Sequence, residues 1–277
     1  MNANSKPKTS TVSHWLRDAA EQLAGVGITS ALLDAEIILA HTLRKSRTWL
    51  HAHSDDEVGA RELEIANARL DLRLDRTPIA YIIGHKEFYT RLFKVTPSVL
   101  IPRPESEDMI TVLKTLPLPE NARLIDVGTG SGCLGITAKL ELPELNISLS
   151  DISRHALTIA QENATNLHVS VETVRSDLLH SVPGMFDVIL ANLPYVDREW
   201  ERSPETEFEP ELALFADQHG RALIEKLLDQ TPSHLAPHGY ILLEADPEQH
   251  AAIIEYAKPL GLSHEKTEGY IVVLVRN

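Results

Sequence analysis

Asn192-Leu193-Pro194-Tyr195 closes an apolar run at residues 186–191 with a short polar and aromatic turn whose residue types suit one task, holding a planar NH2 group. An Asn side chain offers one carbonyl acceptor and one NH2 donor. A residue that precedes proline is pushed to extended geometry, so the Leu193 carbonyl can point outward as a second fixed acceptor. Two acceptors converging on one nitrogen hold both N–H bonds of an amide or an exocyclic amine, and the ring of Tyr195 is free to pack on its flat face. Taken alone, Asn-x-Pro-Tyr is as well explained by a turn that ends a strand. A second motif upstream weighs against that.

Asp126-Val127-Gly128-Thr129-Gly130-Ser131-Gly132 follows the apolar Leu124-Ile125 and precedes a helical pattern at residues 133–140. Strand, glycine turn and helix start, in that order, make a nucleotide-binding corner: glycines let the backbone approach a ligand, and a helix N-terminus offers free N–H groups. From Gly130 the segment also spells G-x-G-x-x-G, ending at Gly135. In a dinucleotide site that helix start faces a pyrophosphate anion. Here Asp126 sits at the strand end, where a carboxylate repels pyrophosphate but suits the ammonium and sulfonium end of S-adenosylmethionine.

Two more acids fall at successive strand ends. Asp151 closes an apolar stretch at residues 145–150, where a carboxylate accepts both ribose hydroxyls in a doubly wound sheet. Asp177 closes the next segment and could face the adenine amino group. Gly128, Thr129, Gly130 and Gly132, with Ile152 after Asp151 and Leu178 after Asp177, complete the candidate cofactor wall. Any one of these acids alone could be a solvated loop charge; their recurrence argues otherwise.

These motifs need a frame that brings strand ends to one edge. Apolar spacing reads helical over residues 12–24, 32–43 and 56–74, with Ser30 and Ser54 as helix starts, which predicts a small helical domain at residues 11–76 after a disordered start at 1–10. Tyr81-Ile82-Ile83 and Leu92 to Val95 are β-rich and flank Gly84 and Tyr89-Thr90, which predicts a hairpin linker over residues 77–99. From 100 to 277 strands and helices alternate, ending in a strand at 270–275, and such alternation means an α/β domain with a mostly parallel sheet covered by helices. With 43% hydrophobic residues in 277, a sizeable core can be filled. A single cysteine, Cys133, leaves neither a disulfide framework nor a zinc cluster, so no metal is expected. No apolar run approaches membrane-spanning length and residues 1–10 are polar, so a cytoplasmic protein is expected, without a membrane partner.

The chain resembles the class I methyltransferases and, within them, the HemK/PrmC family of protein glutamine methyltransferases, which act on peptide-chain release factors. The resemblance covers nearly its whole length: Gly27-Ile28 and Asp34-Ala35-Glu36, Arg76 through Gly84, Glu87-Phe88, then Ile101-Pro102-Arg103-Pro104-Glu105-Ser106-Glu107, similar to the family's IPRPETE signature. After the Asn192 turn, Phe208-Glu209-Pro210 with Ala213-Leu214 resemble its EPxxAL segment. The related ribosomal-protein enzymes carry PRSP where this chain has Arg103-Pro104, which places it nearer the release-factor branch. The resemblance implies a doubly wound, mostly parallel seven-stranded sheet of Rossmann-like type, preceded by a helical substrate-recognition domain. It also implies S-adenosylmethionine as methyl donor with S-adenosylhomocysteine as product, and substrate-binding places for Arg103, Glu105 and the Asn192 to Tyr195 turn. A monomer is expected. Three departures stand out. Leu193 replaces the family's first proline, giving an Asn-Leu-Pro-Tyr more familiar from ribosomal RNA adenine dimethyltransferases, though the backbone carbonyl survives the change. Ser106 stands for a threonine. Glu244-Ala245-Asp246 and Gly269-Tyr270 depart from the family's LEIG and GxxR patterns and receive no role.

Charge separates the possible substrates. Residues 1–76 carry 10 basic and 11 acidic side chains and residues 77–277 carry 16 and 29, so nearly all of the net −14 lies on the second part. Asp197, Glu199, Glu201, Glu205, Glu207, Glu209 and Glu211 follow the turn directly, against only Arg198 and Arg202. A nucleic-acid binder normally shows a basic footprint, so no stable nucleic-acid complex is expected. An acidic rim would instead steer a basic release factor inward, although a merely solvated loop has the same composition. The reaction expected is in-line attack of a glutamine amide nitrogen on the methyl carbon, driven by positioning and electrostatics, with no strong base beside the turn and Tyr195 as a packing wall. The rival is N6-adenine methylation of RNA or DNA, in which the same turn holds a flipped base.

Overall fold

The computed structural model describes residues 10–197, 200 and 203–277, and the described residues divide into two compact units, one up to Gly84 and one from His85 onward. The first unit is helical: α1 Val12–Gly25, α2 Ala31–Leu43, α3 Arg47–Ala52, α4 Ala60–Leu74 and α5 Ile79–Ile83. Of the start expected to be disordered, Ser10 is described, and with Thr11 it pairs antiparallel against Glu57–Val58. That pairing also corrects the third helix. Residues 56–59 are drawn into the two-stranded ribbon and its approach, so α4 begins at Ala60 behind Gly59 rather than near Ser54. Thr11 and Ser46 cap α1 and α3, accepting from His14 N at 3.3 Å and Trp49 N at 3.1 Å.

α2 is largely buried, yet it carries two acids. Asp34 accepts from Arg73 Nε of α4 at 2.7 Å with both side chains buried, and Glu36 accepts from Arg47 Nη2 at 2.6 Å. Removing one partner of the Asp34–Arg73 pair costs about 3–5 kcal/mol, because the other charge stays buried and uncompensated, whereas Arg47 is half exposed and its pair with Glu36 is screened by water. Helix, not strand, forms at Tyr81 to Ile83. Pro78 opens the turn, its carbonyl accepts from Tyr81 N at 3.0 Å and Ile82 N at 3.2 Å, and Gly84 closes it at φ 78°. Local capping here overrides the β preference of Tyr-Ile-Ile. The hairpin lies further on, His85–Phe88 against Arg91–Lys94, turning through Tyr89 and Thr90 at φ 49° and 65°, and it belongs to the second unit.

The second unit is built on seven strands: β1 Arg123–Val127, β2 Asn146–Asp151, β3 Glu172–Arg175, β4 Phe186–Ala191, β5 Leu235–Glu244, β6 Leu262–Glu268 and β7 Ile271–Arg276. Their order is β6-β7-β5-β4-β1-β2-β3, parallel from β3 to β5 and antiparallel at β7 and β6. Helices α6 Glu107–Leu113, α7 Cys133–Glu141, α8 Arg154–Asn166, α9 Glu211–Leu214, α10 Ala222–Gln230 and α11 Pro247–Ala257 fill the connections. Side chains of successive strand residues point to opposite faces. Leu124, Leu190, Leu242 and Val273 therefore join one core with Met109 of α6 and Phe88 of the hairpin, while Ile125, Ile189, Leu243 and Val272 join another with Leu227 of α10 and Ile253 of α11. Burial on both faces is why these strands read as unbroken apolar runs. Val127 lies opposite Ala191, and Ala191 opposite Leu243, so β1, β4 and β5 end at one edge. The chain leaves β1 for neighbours on opposite sides there, which opens a crevice outside the strand ends.

Candidate active site

Beyond β1 the backbone turns through Gly128 and Gly130 at φ 71° and 55°, a region that L side chains rarely adopt. The turn is tied to β2 by Gly128 N and Thr129 N, both donating to Ser150 O at 2.9 Å. A Cβ on Gly130 would meet nothing closer than the Gly128 carbonyl at 4.0 Å, so this face is open to a ligand. Asp126 is fully buried and its Oδ2 accepts from Thr129 Oγ1 at 2.6 Å and Gly135 N at 3.0 Å. Burial pushes its pKa up to about 6, and the nearby Asp151 carboxylate acts in the same direction. Asp151 accepts from Gly130 N at 3.0 Å and Ser153 N at 2.8 Å, bonds that oppose the upward push of burial on its own pKa. Each of its oxygens keeps a further lone pair.

Asp126, Gly128, Thr129, Gly130, Asp151, Ile152, Asp177, Leu178 and the Asn192 to Pro194 turn all line one cavity of about 260 Å³. Ile152, 54% exposed, supplies an apolar surface beside Asp151. Asp177 is half-exposed at the rim and paired with Lys226 Nζ at 2.6 Å. Gly132 stands outside the lining; it admits the chain into α7, where a Cβ would come within 2.7 Å of Ile136 Cδ1. An open glycine face, a carboxylate held at the end of β2 and an apolar flank fit an adenosine-bearing cofactor with a cationic amino-acid end.

A second cavity, of about 460 Å³, is lined by Arg103, Glu105, Tyr195, Glu244 and Tyr270 among others, and it shares Leu100, Arg103, Asn192, Leu193, Pro194 and Ala213 with the first. The turn is thus the common wall of two chambers. Asn192 Nδ2 donates to the buried Ser106 Oγ at 2.9 Å, which leaves Oδ1 as the acceptor for a ligand. Tyr195 OH donates to Glu244 Oε1 at 3.2 Å, and burial together with the Glu244 charge drives the phenol above its usual range. Gln249, third residue of α11, donates to Tyr195 O at 2.9 Å and His219 O at 2.8 Å and accepts from Asp246 N at 3.0 Å. Arg103 is held by the buried Glu209 at 2.6 Å, whose other oxygen accepts from Ile101 N at 3.2 Å.

Sequence reasoning missed Ser106, Glu244, Gln249 and Asn163. Asn163 of α8 accepts from Lys94 N at 2.7 Å and donates to Lys94 O and Ser131 O, joining the hairpin to the glycine loop. For Glu244 a signal existed: it closes Ile241-Leu242-Leu243 as Asp151 closes its own strand and as Asp126 follows Leu124-Ile125. Beside the turn, then, a buried carboxylate stands where no base was expected. The acidic stretch is also less uniform than its composition. Glu209 is buried with Arg103 and Asp197 faces His219 Nδ1 at 3.0 Å, while Glu207 and Glu211 are exposed; Arg198, Glu199, Glu201 and Arg202 lie outside the described residues. Among the described residues no group of His, Cys, Asp or Glu is arranged to hold a metal ion, and no helix is long and apolar enough to cross a membrane.

Two family models match the chain, the PrmC N-terminal domain over residues 14–84 and the methyltransferase small domain over residues 109–206. A release factor glutamine methyltransferase from Koribacter versatilis is 38% identical over 86% of this chain and 89% of its own. Another protein of that name, from Aliivibrio fischeri, is 32% identical over 93% of both chains. Among solved structures, a methyltransferase from Pyrococcus furiosus superposes with a TM-score of 0.53 at 21% identity, over 76% of this chain and 95% of that one, a likeness of fold.

Proposed function

The chain belongs to the release factor glutamine methyltransferase family, and from that premise we propose that it methylates the side-chain amide nitrogen of the glutamine in the Gly-Gly-Gln motif of a peptide-chain release factor, using S-adenosylmethionine and yielding S-adenosylhomocysteine. The observation that carries this reading is the shared wall: Asn192, Leu193 and Pro194 line both the cavity fitted to the cofactor and the cavity that reaches Tyr195. When bound, the cofactor supplies an electrophilic methyl group. An amide nitrogen is a weak nucleophile, since its lone pair is delocalised into its carbonyl. Asn192 Oδ1 and the Leu193 carbonyl accept its two N–H bonds, orient the nitrogen toward the first cavity and stabilise the positive charge that grows on its protons. Ser106 fixes the Asn192 amide so that the oxygen, not the NH2, is presented. Tyr195 packs on the flat face, and its raised pKa keeps the phenol protonated.

Asp126, Gly130 and Asp151 hold the cofactor, with Ile152 and Leu178 on its apolar sides. The helical unit recognises the release factor, a reading supported by its match to the PrmC N-terminal domain. Arg103 and Glu105 border the substrate, and the enzyme works as a monomer in the cytoplasm, where release factors meet the ribosome. The test is incubation with methyl-labelled S-adenosylmethionine and a purified release factor, the same factor with the Gly-Gly-Gln glutamine replaced by alanine, or total RNA. Label is expected in the intact factor alone. Label in RNA and none in the factor would overturn the assignment in favour of adenine methylation.

A further inference from the structure

Glu209 is a buried carboxylate on a short connecting segment, and both groups it accepts from lie far upstream. Its Oε1 accepts from Arg103 Nη2 at 2.6 Å and its Oε2 from Ile101 N at 3.2 Å, contacts that span 106 and 108 positions of sequence. A buried carboxylate persists only where it is paired and hydrogen-bonded, so these two bonds fix where the chain around Ile101 lies. That chain is stiff. Pro102 and Pro104 lock their own φ and confine the residues before them to extended geometry, as Arg103 shows at φ −98° and ψ 142°. Ser106 N then donates to Arg103 O at 3.2 Å in a single 3₁₀ turn. A hold on Ile101 and Arg103 therefore reaches Ser106 through one rigid stretch of chain.

Ser106 Oγ in turn accepts from Asn192 Nδ2 at 2.9 Å. Past the Asn192 turn the chain reaches Val196, whose N–H donates to Leu214 O at 3.0 Å and whose carbonyl accepts from Ala216 N at 3.3 Å. Helix α9, which ends at Leu214, begins two residues after Glu209. These contacts close a ring: from Glu209 to Ile101 and Arg103, along to Ser106, across to the Asn192 turn, and back through Val196 and α9 to Glu209. Arg103, Glu105, Asn192, Val196, Ala213 and Leu214, all on this ring, line the second cavity.

We propose that Glu209 is a positioning residue for methyl transfer: by holding Ile101 and Arg103 it keeps Ser106 against the Asn192 amide, so that the amide oxygen faces the substrate. The inference rests on the proposed reaction. The two ends of an Asn side chain are nearly equal in size and opposite in hydrogen-bonding sense, one an acceptor and the other a donor. If Ser106 drifts, the amide loses a bond that selects its orientation, and a half-turn sets its NH2 against the NH2 of the substrate glutamine. The chain of effect runs through Asn192, and that makes it measurable.

The experiment is a double-mutant cycle between Glu209→Ala and Asn192→Ala. Methyl transfer to the release factor is measured at saturating S-adenosylmethionine, and calorimetric titration with S-adenosylhomocysteine counts the folded sites, so that each kcat is expressed per competent molecule. Glu209→Ala alone is expected to lower kcat on the order of 10²-fold, the effect of misplacing a reacting group by about 1 Å. In the Asn192→Ala chain the same substitution should lower it by less than about threefold, because residues that act as one unit are not additive. A loss of sites with kcat per site unchanged marks a role in stability alone and overturns the proposal. So does an equal fall in both backgrounds, which would place the effect of Glu209 on Arg103 or on the cofactor rather than on Asn192. If Glu209→Ala does not fold, Glu209→Gln carries the test. It keeps an acceptor for Ile101 N and gives up the ion pair, and its fall in kcat, about tenfold for a smaller displacement, must likewise vanish in the Asn192→Ala background. A parent chain that methylates no release factor overturns the proposed function itself and the role of Glu209 with it, an outcome read before any variant is compared.

Discussion

At the scale of single residues, Asp126 and Asn192 make separable forecasts. Asp126 has a pKa of about 6 against 3.8 for a free side chain. Between these values the native state binds more protons than the unfolded one, so stability falls as pH rises from about 4 to 6, by about 3 kcal/mol for a gap of this size. Asp126→Asn keeps an oxygen for Thr129 and Gly135 but carries no charge. It should flatten that fall, unfold at a higher temperature than the parent above pH 6, and lose cofactor affinity. Melts across pH 4 to 8 with calorimetric titration check both halves; equal melting temperatures at pH 7 would mean that the buried charge is compensated. Asn192→Ala tests the turn directly. Cofactor affinity should hold while turnover on the release factor falls about 10²-fold, as for loss of one group that stabilises transition-state charge. Steady-state kinetics beside calorimetry would refute this if the loss lay in cofactor affinity.

At the scale of elements, the turn after β4 is held from outside. Gln249 at the start of α11 grips the Tyr195 carbonyl, and the chain passes so close at Gly220 that a Cβ there would sit 1.9 Å from the same oxygen. Gly220→Ala must displace backbone, since the obstacle is not a flexible side chain, and Gly220 is also at φ 80°. We expect turnover to drop at least tenfold, the order of effect for small misplacement of reacting groups, while cofactor affinity, set by β1 and β2, stays near that of the parent. Full activity would show that the turn does not depend on this contact. Leu193→Pro makes the reverse forecast. It restores the commoner family turn and keeps the carbonyl acceptor, though it removes a buried side chain lying against Gly128. Activity on the release factor should persist at a modestly lower melting temperature; a switch of label from the release factor to RNA in the variant but not in the parent would show that residue 193 governs substrate class.

At the scale of the whole molecule, charge should decide the encounter. Nearly all of the net −14 lies beyond residue 76. Replacing Glu199, Glu201, Glu207 and Glu211 by Gln should lower kcat/KM for a basic release factor and flatten its salt dependence, with little change in kcat. Steering acts on approach and is screened beyond about 8 Å at physiological salt. Initial rates across a salt series give the answer by sign, because a nucleic-acid substrate would instead be methylated faster once its phosphates met fewer carboxylates.

The sequence by itself determined what depends on local chain chemistry. The glycine corner after Asp126, the acid at Asp151 and the Asn192 turn are legible because each is one strand end plus one turn, and because strands buried on both faces must be apolar throughout. Tyr81 to Ile83 shows the limit of that legibility, since β-branched residues between Pro78 and Gly84 obey their caps and form helix. What only the tertiary structure decided is which distant residues share a site. Ser106 reaches Asn192 across 86 positions and Glu244 reaches Tyr195 across 49, through sheet order and register that place the ends of β1, β4 and β5 on one edge. A carboxylate after an apolar strand looks the same in sequence whether it faces water or a buried tyrosine. Burial, which raises its pKa, exists only once the sheet has closed around it.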